Sequence, residues 1–245
     1  MSDITADIST RTIRGSDRGY IAYHAPRYAF LLRLLTQCGL RQGSQILDIG
    51  PSKLTSLIRT KFGIKVDTLG FGADRTESDG RHFQFDLNST QNGDLWRRDL
   101  PQYDFVIMAE VIEHLHTAPE LVLAYVRSLI VRGGTLILQT PNAASLPKRI
   151  KLLLGRNPYE RIRPDSCDPG HFREYTLSEL HKIMGDAGFV VQGCITGFYF
   201  DARFAHHELG QAREQPFVGA LKNMLYPLLP PNLREGITFV GVESR

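Results

Sequence analysis

The stretch Ala109–Leu115, AEVIEHL, places two carboxylates and an imidazole at Glu110, Glu113 and His114, directly after the apolar run Phe105-Val106-Ile107-Met108. Spacings of three and four put all three groups on one face of a helical turn. Such a face has two chemical uses. Glu110 or His114 can act as a general base that takes the proton of an acceptor hydroxyl. Alternatively, the two hard oxygens and one nitrogen of Glu110, Glu113 and His114 suit magnesium, manganese or zinc. A purely structural reading stands beside these, with Glu110 capping a helix and His114 satisfying a buried hydrogen bond.

A chain of 245 residues, 42% hydrophobic and 22% charged, is long enough for one large α/β domain with an appendage, and too short for two full domains. The formal net charge of +3 is too small for the dense basic footprint that a nucleic-acid partner demands. Cys38, Cys167 and Cys194 are scattered without metal-type spacing, which argues against a disulfide framework or zinc knuckle and suits a reducing compartment. MSDITADIST lacks the basic and apolar regions of a signal peptide, and no apolar run reaches membrane-spanning length. The expected location is the cytoplasm, with peripheral contact at the inner membrane face.

The elements that must position the turn alternate in type. QILDIG (45–50), KVDTLGF (65–71), HFQFDL (82–87), YDFVIMA (103–109) and GGTLILQTP (133–141) read as strands one to five. TSLIRTKF (55–62) and the segment from Pro119 to Val131 read as helices, the second with proline at its first turn and a Gly-Gly pair at its end. Thr176 and Glu179 have capping-box spacing, so TLSELHKIMGDAGF starts a delimited helix that ends near Gly188. VVQGCITGFYF and GITFVGVE (236–243) complete the set of strands. Ahead of them, YIAYHAPRYAFLLRLLTQCG is an amphipathic helical segment broken at Pro26.

Taken in order, ILDIG, FDLN, YDFVIMAEVIEHL, RGGTLILQTPN and HFREYTLSELHKIMGDAGF resemble the class I S-adenosylmethionine-dependent methyltransferases, in particular the branch with the ubiquinone-biosynthesis O-methyltransferases and the sugar and small-molecule methyltransferases. The resemblance spans about residues 40–200 plus the last strand. It implies a Rossmann-like α/β fold: a seven-stranded, mostly parallel sheet with the last strand antiparallel, helices on both faces, and cofactor beyond the carboxyl ends of the strands. Residues 1–40 would form a helical lid segment and 41–245 the methyltransferase domain, with a basic insertion at about 143–170.

By the same resemblance, Asp48 orients the cofactor's amino group, Gly50 admits close backbone approach, Asp86 receives the adenine amino group with Leu87 at the ring, and Ala109 and Glu110 face the sulfonium end. The usual glycine-rich pattern is altered to DIGPSKL, with Ser52 and Leu54 at the second and third glycine positions. No acid ends strand two; Asp74 is the nearest stand-in as a ribose ligand. His171 occupies the place where metal-using relatives supply a further histidine, so the implied metal set is Glu110, Glu113, His114 and His171, and the implied catalytic groups are Glu110, His114 and His171.

The insertion carries Lys148, Arg149, Lys151, Arg156, Arg161 and Arg163 against Glu160 alone, a local charge of +5, and KRIKLLLG pairs a basic face with leucines. LKNMLYPLLPPNL adds a second apolar element. These features suggest a small or amphiphilic acceptor (a saccharide, lipid-linked or quinone-like molecule) and peripheral contact with anionic membrane. Tyr20, Tyr23, His24 and Arg27 are either lid residues or core packing, with Tyr23 and Arg27 on one face; His206 and His207 read as surface residues. The expected reaction is methylation of an oxygen. Two alternatives are a metal-dependent 2′-O-methyltransferase of RNA 3′ ends and a non-catalytic binding module.

Overall fold

The structure is a computed structural model that describes residues 15–165, 169–206, 212–214 and 216–244. The readings made for Cys167, for His207, for the first fourteen residues and for part of the insertion fall outside these. The chain divides into two compact units: a larger one from Leu40–Thr196 with the stretch after Glu235, and a smaller one from the N-terminal stretch to Gly39 with Gly197–Arg234.

The larger unit holds an eight-stranded sheet. In chain order its elements are β1 (Ile46–Ile49), α2 (Lys53–Phe62), β2 (Asp67–Gly70), β3 (Arg75–Glu77), β4 (Gly80–Gln84), β5 (Tyr103–Ala109), α3 (Pro119–Ser128), β6 (Ile130–Pro141), α4 (Leu146–Leu153), α5 (Leu177–Asp186), β7 (Phe189–Gly197) and β10 (Gly236–Glu243). The spatial order is β3-β4-β2-β1-β5-β6-β10-β7. Pairings β2–β1, β1–β5, β5–β6 and β2–β4 are parallel, whereas β6–β10 is antiparallel, so the last strand runs as expected. The strand not foreseen is β3. It folds back antiparallel on β4, with Glu77 opposite Gly80, and its Arg-Thr-Glu sequence leaves the exposed edge charged rather than apolar.

Burial explains the sheet's composition. Leu47, Val106, Met108, Leu136, Leu138 and Phe239 form one continuous apolar core with Val122 and Val126 of α3 and Leu180 and Met184 of α5. Strands buried this completely read as unbroken apolar runs rather than alternating ones. α5 starts where Thr176 and Glu179 close their capping box, a device worth about 1 kcal/mol.

Three local expectations are corrected. The helix after Pro119 ends at Ser128 rather than Val131, and the Gly-Gly pair lies inside β6, where the register against β5 slips. A side chain at Gly134 would collide with Ile130 Cγ2 at 2.7 Å, so the pair serves a strand irregularity. Pro26 does not break the first helix either.

The smaller unit contains that helix, α1 (Gly15–Gln37), which runs through Pro26. It also contains the hairpin of β8 (Phe204–His206) and β9 (Ala212–Glu214), followed by α6 (Pro216–Leu225). Tyr23 and Arg27 do share a helical face: the Tyr23 ring stacks on Phe200 at 4.8 Å, and the Arg27 guanidinium lies 5.8 Å from the same ring. Tyr20 packs on His24 at 4.2 Å, which makes the group an aromatic cluster within this unit. Backbone of β8 includes His206.

Candidate active site

β1 delivers Asp48 and Gly50 to the carboxyl edge of the sheet. Asp48 is buried and its Oδ2 accepts a hydrogen bond from Thr55 Oγ1 at 2.5 Å. Gly50 has φ +75, and a Cβ there would sit 2.7 Å from Val111 Cγ2, so close approach of the β5 exit requires glycine. Ser52 at the altered glycine position caps α2: its Oγ accepts from Leu54 N at 3.2 Å, while Thr55 Oγ1 accepts from Ser52 N at 3.1 Å. Leu54 turns inward and is buried. The altered loop is therefore an ordered N-cap.

Asp86 lies beyond the end of β4, at the N-cap of a 3-10 turn (Leu87–Gln91). Its Oδ1 accepts from Asn88 N at 2.9 Å, and Oδ2 has no partner among the described residues. Asn88 ties this turn to the β5 exit, its Oδ1 accepting from His116 N at 2.9 Å and its carbonyl from Thr117 Oγ1 at 2.8 Å. Leu87 is buried beneath. Asp74 accepts from Gln84 N at 2.6 Å, and both of its oxygens lie 2.8 Å from Arg97 Nη1. That backbone contact and the guanidinium hold its carboxyl below the usual range. Phe71, expected as the last residue of strand two, lies just past the end of β2 at Gly70 with 78% of its surface exposed.

At the exit of β5 the expected helical turn is absent. Glu110 has φ +57, a conformation rare for residues other than glycine, and Val111 is not helical, so only Ile112–His114 form a 3-10 turn. Glu110 N donates to Gln139 O at 2.8 Å. Because the chain bends at Glu110, the three acidic and imidazole groups do not share one helical face. Glu113 is fully buried and its Oε2 accepts from Thr140 Oγ1 at 2.9 Å. His114 instead turns toward a distant segment.

That segment is 169–174. Phe172 N and Arg173 N donate to Glu113 O at 2.8 and 3.2 Å, and His114 Nδ1 donates to Gly170 O at 2.9 Å. These bonds bring the His171 ring to 4.7 Å from that of His114, nearly perpendicular at 83°. Ligand atoms of Glu113, His114 and His171 all lie within 4.8 Å of one another; Glu110 is not in this group among the described residues. The structure thus brings His171 to the turn across more than fifty residues and groups it with Glu113 and His114, whereas Glu110, expected beside them, lies outside that group among the described residues.

Two further groups join. Glu174 Oε1 is 3.1 Å from His171 Nδ1, and its Oε2 is paired with Lys148 Nζ, which also donates to Asn142 O at 3.2 Å. Burial pushes the Lys148 ammonium down to about 8, against the opposing pull of Glu235, Glu110 and Glu113. Glu174 stands three residues after His171, and that spacing was the available signal. The described metal-type set fits a divalent ion chemically: a carboxylate and two imidazoles whose Nδ1 atoms face oxygen acceptors are a combination used by zinc and manganese sites.

An open, largely parallel sheet with its acids gathered at the carboxyl ends of β1, β4 and β5 defines the fold of a class I methyltransferase. The methyltransferase-domain family model matches residues 21–192, and the chain belongs to that family. No curated protein matches the chain. Among solved structures, a SAM-dependent methyltransferase from Archaeoglobus fulgidus aligns with TM-score 0.52 and 18% identity over 88% of this chain and 94% of its own. Magnesium protoporphyrin IX methyltransferase from Synechocystis PCC 6803, with bound SAH, aligns with TM-score 0.53 and 14% identity over 98% and 92%. A phosphoethanolamine N-methyltransferase of Haemonchus contortus, in complex with phosphomonomethylethanolamine and S-adenosylhomocysteine, aligns with TM-score 0.57 and 12% identity over 98% of this chain and 60% of its own.

Proposed function

We propose that the protein transfers the methyl group of S-adenosylmethionine to an oxygen of a small or amphiphilic acceptor, of saccharide, lipid-linked or quinone-like type. The observation that carries this reading is the Glu113–His114–His171 cluster next to the β5 exit. When bound, the cofactor supplies an electrophilic methyl group on a sulfonium sulfur. Asp48, Gly50 and the Asp86–Leu87 turn would hold it, and the Asp86 Oδ2, which meets no donor among the described residues, fits an amino group of the ligand. Asp74 is already engaged by Arg97 and Gln84 N, so a ribose would share its exposed carboxylate with that guanidinium.

The histidines do the proton work. His114 Nδ1 donates to a carbonyl, so its basic nitrogen is Nε2, and His171 beside it gives the site a second imidazole. Either ring takes the acceptor's hydroxyl proton as carbon–oxygen bonding develops. A magnesium, manganese or zinc ion on Glu113, His114 and His171 is the second reading, favoured by the mutual reach of their ligand atoms. There it would lower the acceptor's pKa and orient it.

The acceptor's amphiphilic character rests on the insertion. Ile150, Leu152, Leu153 and Leu154 are exposed, Leu153 by 87%, and Arg149, Lys151, Arg156 and Arg161 flank them, also exposed. No helix among the described residues is long and apolar enough to cross a membrane. An apolar strip rimmed by cations instead suits the surface of an anionic bilayer. Vesicles containing anionic phospholipid are expected to bind the protein, and Leu153→Ser with Leu154→Ser to weaken binding at least tenfold, since each buried leucine contributes about 1.5–3 kcal/mol. Equal binding by wild type and variant would remove the membrane from the account.

The direct test of the function is a calorimetric titration of S-adenosylmethionine into ligand-stripped protein. One-to-one binding with a micromolar Kd, about −8 kcal/mol, is expected. A folded protein that binds none would leave the fold as a non-catalytic module.

A further inference from the structure

We propose that Glu174, clamped by Lys148, is a positioning residue that fixes the tautomer of His171, so that both histidines of the site present Nε2 as their only basic nitrogen. The proposal rests on the reading of His171 as a working group of the site, and it adds what makes that group usable.

The geometry is a relay of three side chains from two places in the chain. Lys148 comes from the first turn of α4, Glu174 and His171 from the segment before α5. Glu174 is almost fully buried, its side chain only 6% exposed. Its Oε2 receives the Lys148 ammonium and its Oε1 lies 3.1 Å from His171 Nδ1. An ammonium has donors only, and a carboxylate engaged by one has acceptors only. The proton shared between Glu174 and the ring therefore belongs to Nδ1, and the lone pair to Nε2.

His114 reaches the same state by another route, because the Gly170 carbonyl facing its Nδ1 also accepts only. Two imidazoles 4.7 Å apart are thus set alike by different acceptors. A hydrogen-bonded second partner that fixes ring orientation is the recurrent device behind working imidazoles, whether they take protons or bind metal. Lys148 is itself held by the Asn142 carbonyl at 3.2 Å, and Asn142 N donates to Glu235 O at 2.6 Å. The clamp therefore ties the first turn of the basic insertion to the state of His171.

A glutamine at 174 distinguishes positioning from mere packing. Gln has one acceptor end and one donor end, and Lys148 claims the acceptor. The amide NH2 is then left facing His171, which can meet it only by turning Nδ1 into an acceptor and moving the proton to Nε2. Replacing Lys148 by methionine as well frees the amide to rotate and restores the original tautomer.

The experiment is long-range 1H–15N correlation NMR on protein with 15N-labelled histidine, with His171 assigned by loss of its signals in His171→Ala. Wild type is expected to carry the proton on Nδ1. In Glu174→Gln the Nδ1 and Nε2 resonances should exchange places, and in Lys148→Met/Glu174→Gln they should return. A proton on Nε2 of His171 in wild type overturns the proposal without any variant being needed, as does an unchanged spectrum in Glu174→Gln. Titration of S-adenosylmethionine into the same samples separates the two readings: absent binding sinks the proposed function, while the tautomer result stands or falls by itself.

Discussion

Replacing His171 by alanine is expected to lower methyl transfer by about 10²–10⁴-fold, the range contributed by a positioned acid–base group, with S-adenosylmethionine affinity changed less than twofold. The split follows from position. His171 sits across the 112–114 turn, beside His114 and joined to Glu174, whereas the candidate cofactor contacts Asp48, Gly50 and Asp86 lie at the exits of β1 and β4. Transfer of labelled methyl from S-adenosylmethionine into a small-molecule extract gives the rate, and calorimetry gives the affinity. His181→Ala, on the exposed side of α5, serves as the control for a general loss of imidazole. If His171→Ala keeps a third or more of the rate, the ring is only packing. If instead the loss appears in cofactor affinity, His171 belongs to the cofactor's surroundings and the assignment of roles is wrong. Retention of full wild-type rate in a strong chelator would separately remove the metal from the scheme and leave the base.

Gly50→Ala is expected to damage stability and cofactor binding together, and Gly63→Ala to affect stability alone. Both glycines have positive φ, +75 and +62, so alanine costs each about 1–2 kcal/mol for the left-handed conformation. Gly63 ends α2, where an added Cβ meets nothing within 4 Å among the described residues. At Gly50 the Cβ meets Val111 Cγ2 at 2.7 Å, and forcing the two apart adds about 1–3 kcal/mol. Val111 follows Glu110 directly, so the strain moves the edge of the crevice and should raise the cofactor's Kd at least tenfold. Thermal unfolding and calorimetry read the two effects. The contact itself is tested by adding Val111→Ala, which removes Cγ2. A double-mutant cycle with no coupling between positions 50 and 111 would show that the predicted clash does not exist in solution.

What the sequence determined by itself was the order of elements and the surfaces they bury. Apolar runs such as Phe105–Met108 and Leu136–Leu138, too short for a helix and bounded by turn residues, read as buried strands, and they are. The Thr176/Glu179 box and the strand ending in Asp48-Ile49-Gly50 were equally local, since capping and tight turns act within a few residues. The charge of the insertion was also local, whereas the structure decided that Leu152, Leu153 and Leu154 face outward.

Only the tertiary structure decided which of these side chains lie together. Helical spacing united Glu110 with Glu113 and His114, but the chain turns through a left-handed residue at Glu110, a choice made by the tight junction with Gly50 and the bond from Glu110 N to Gln139 O rather than by local preference. Asp74 reads as a lone loop acid until Arg97, twenty-three residues later, closes on it. In the sequence Lys148 looks like an ordinary charge of the basic insertion, and Glu174 like an ordinary charge of the segment that follows it. They become a buried clamp because the segment before α5 docks its backbone on Glu113, and hydrogen bonds between residues so far apart in the chain have no signature in spacing.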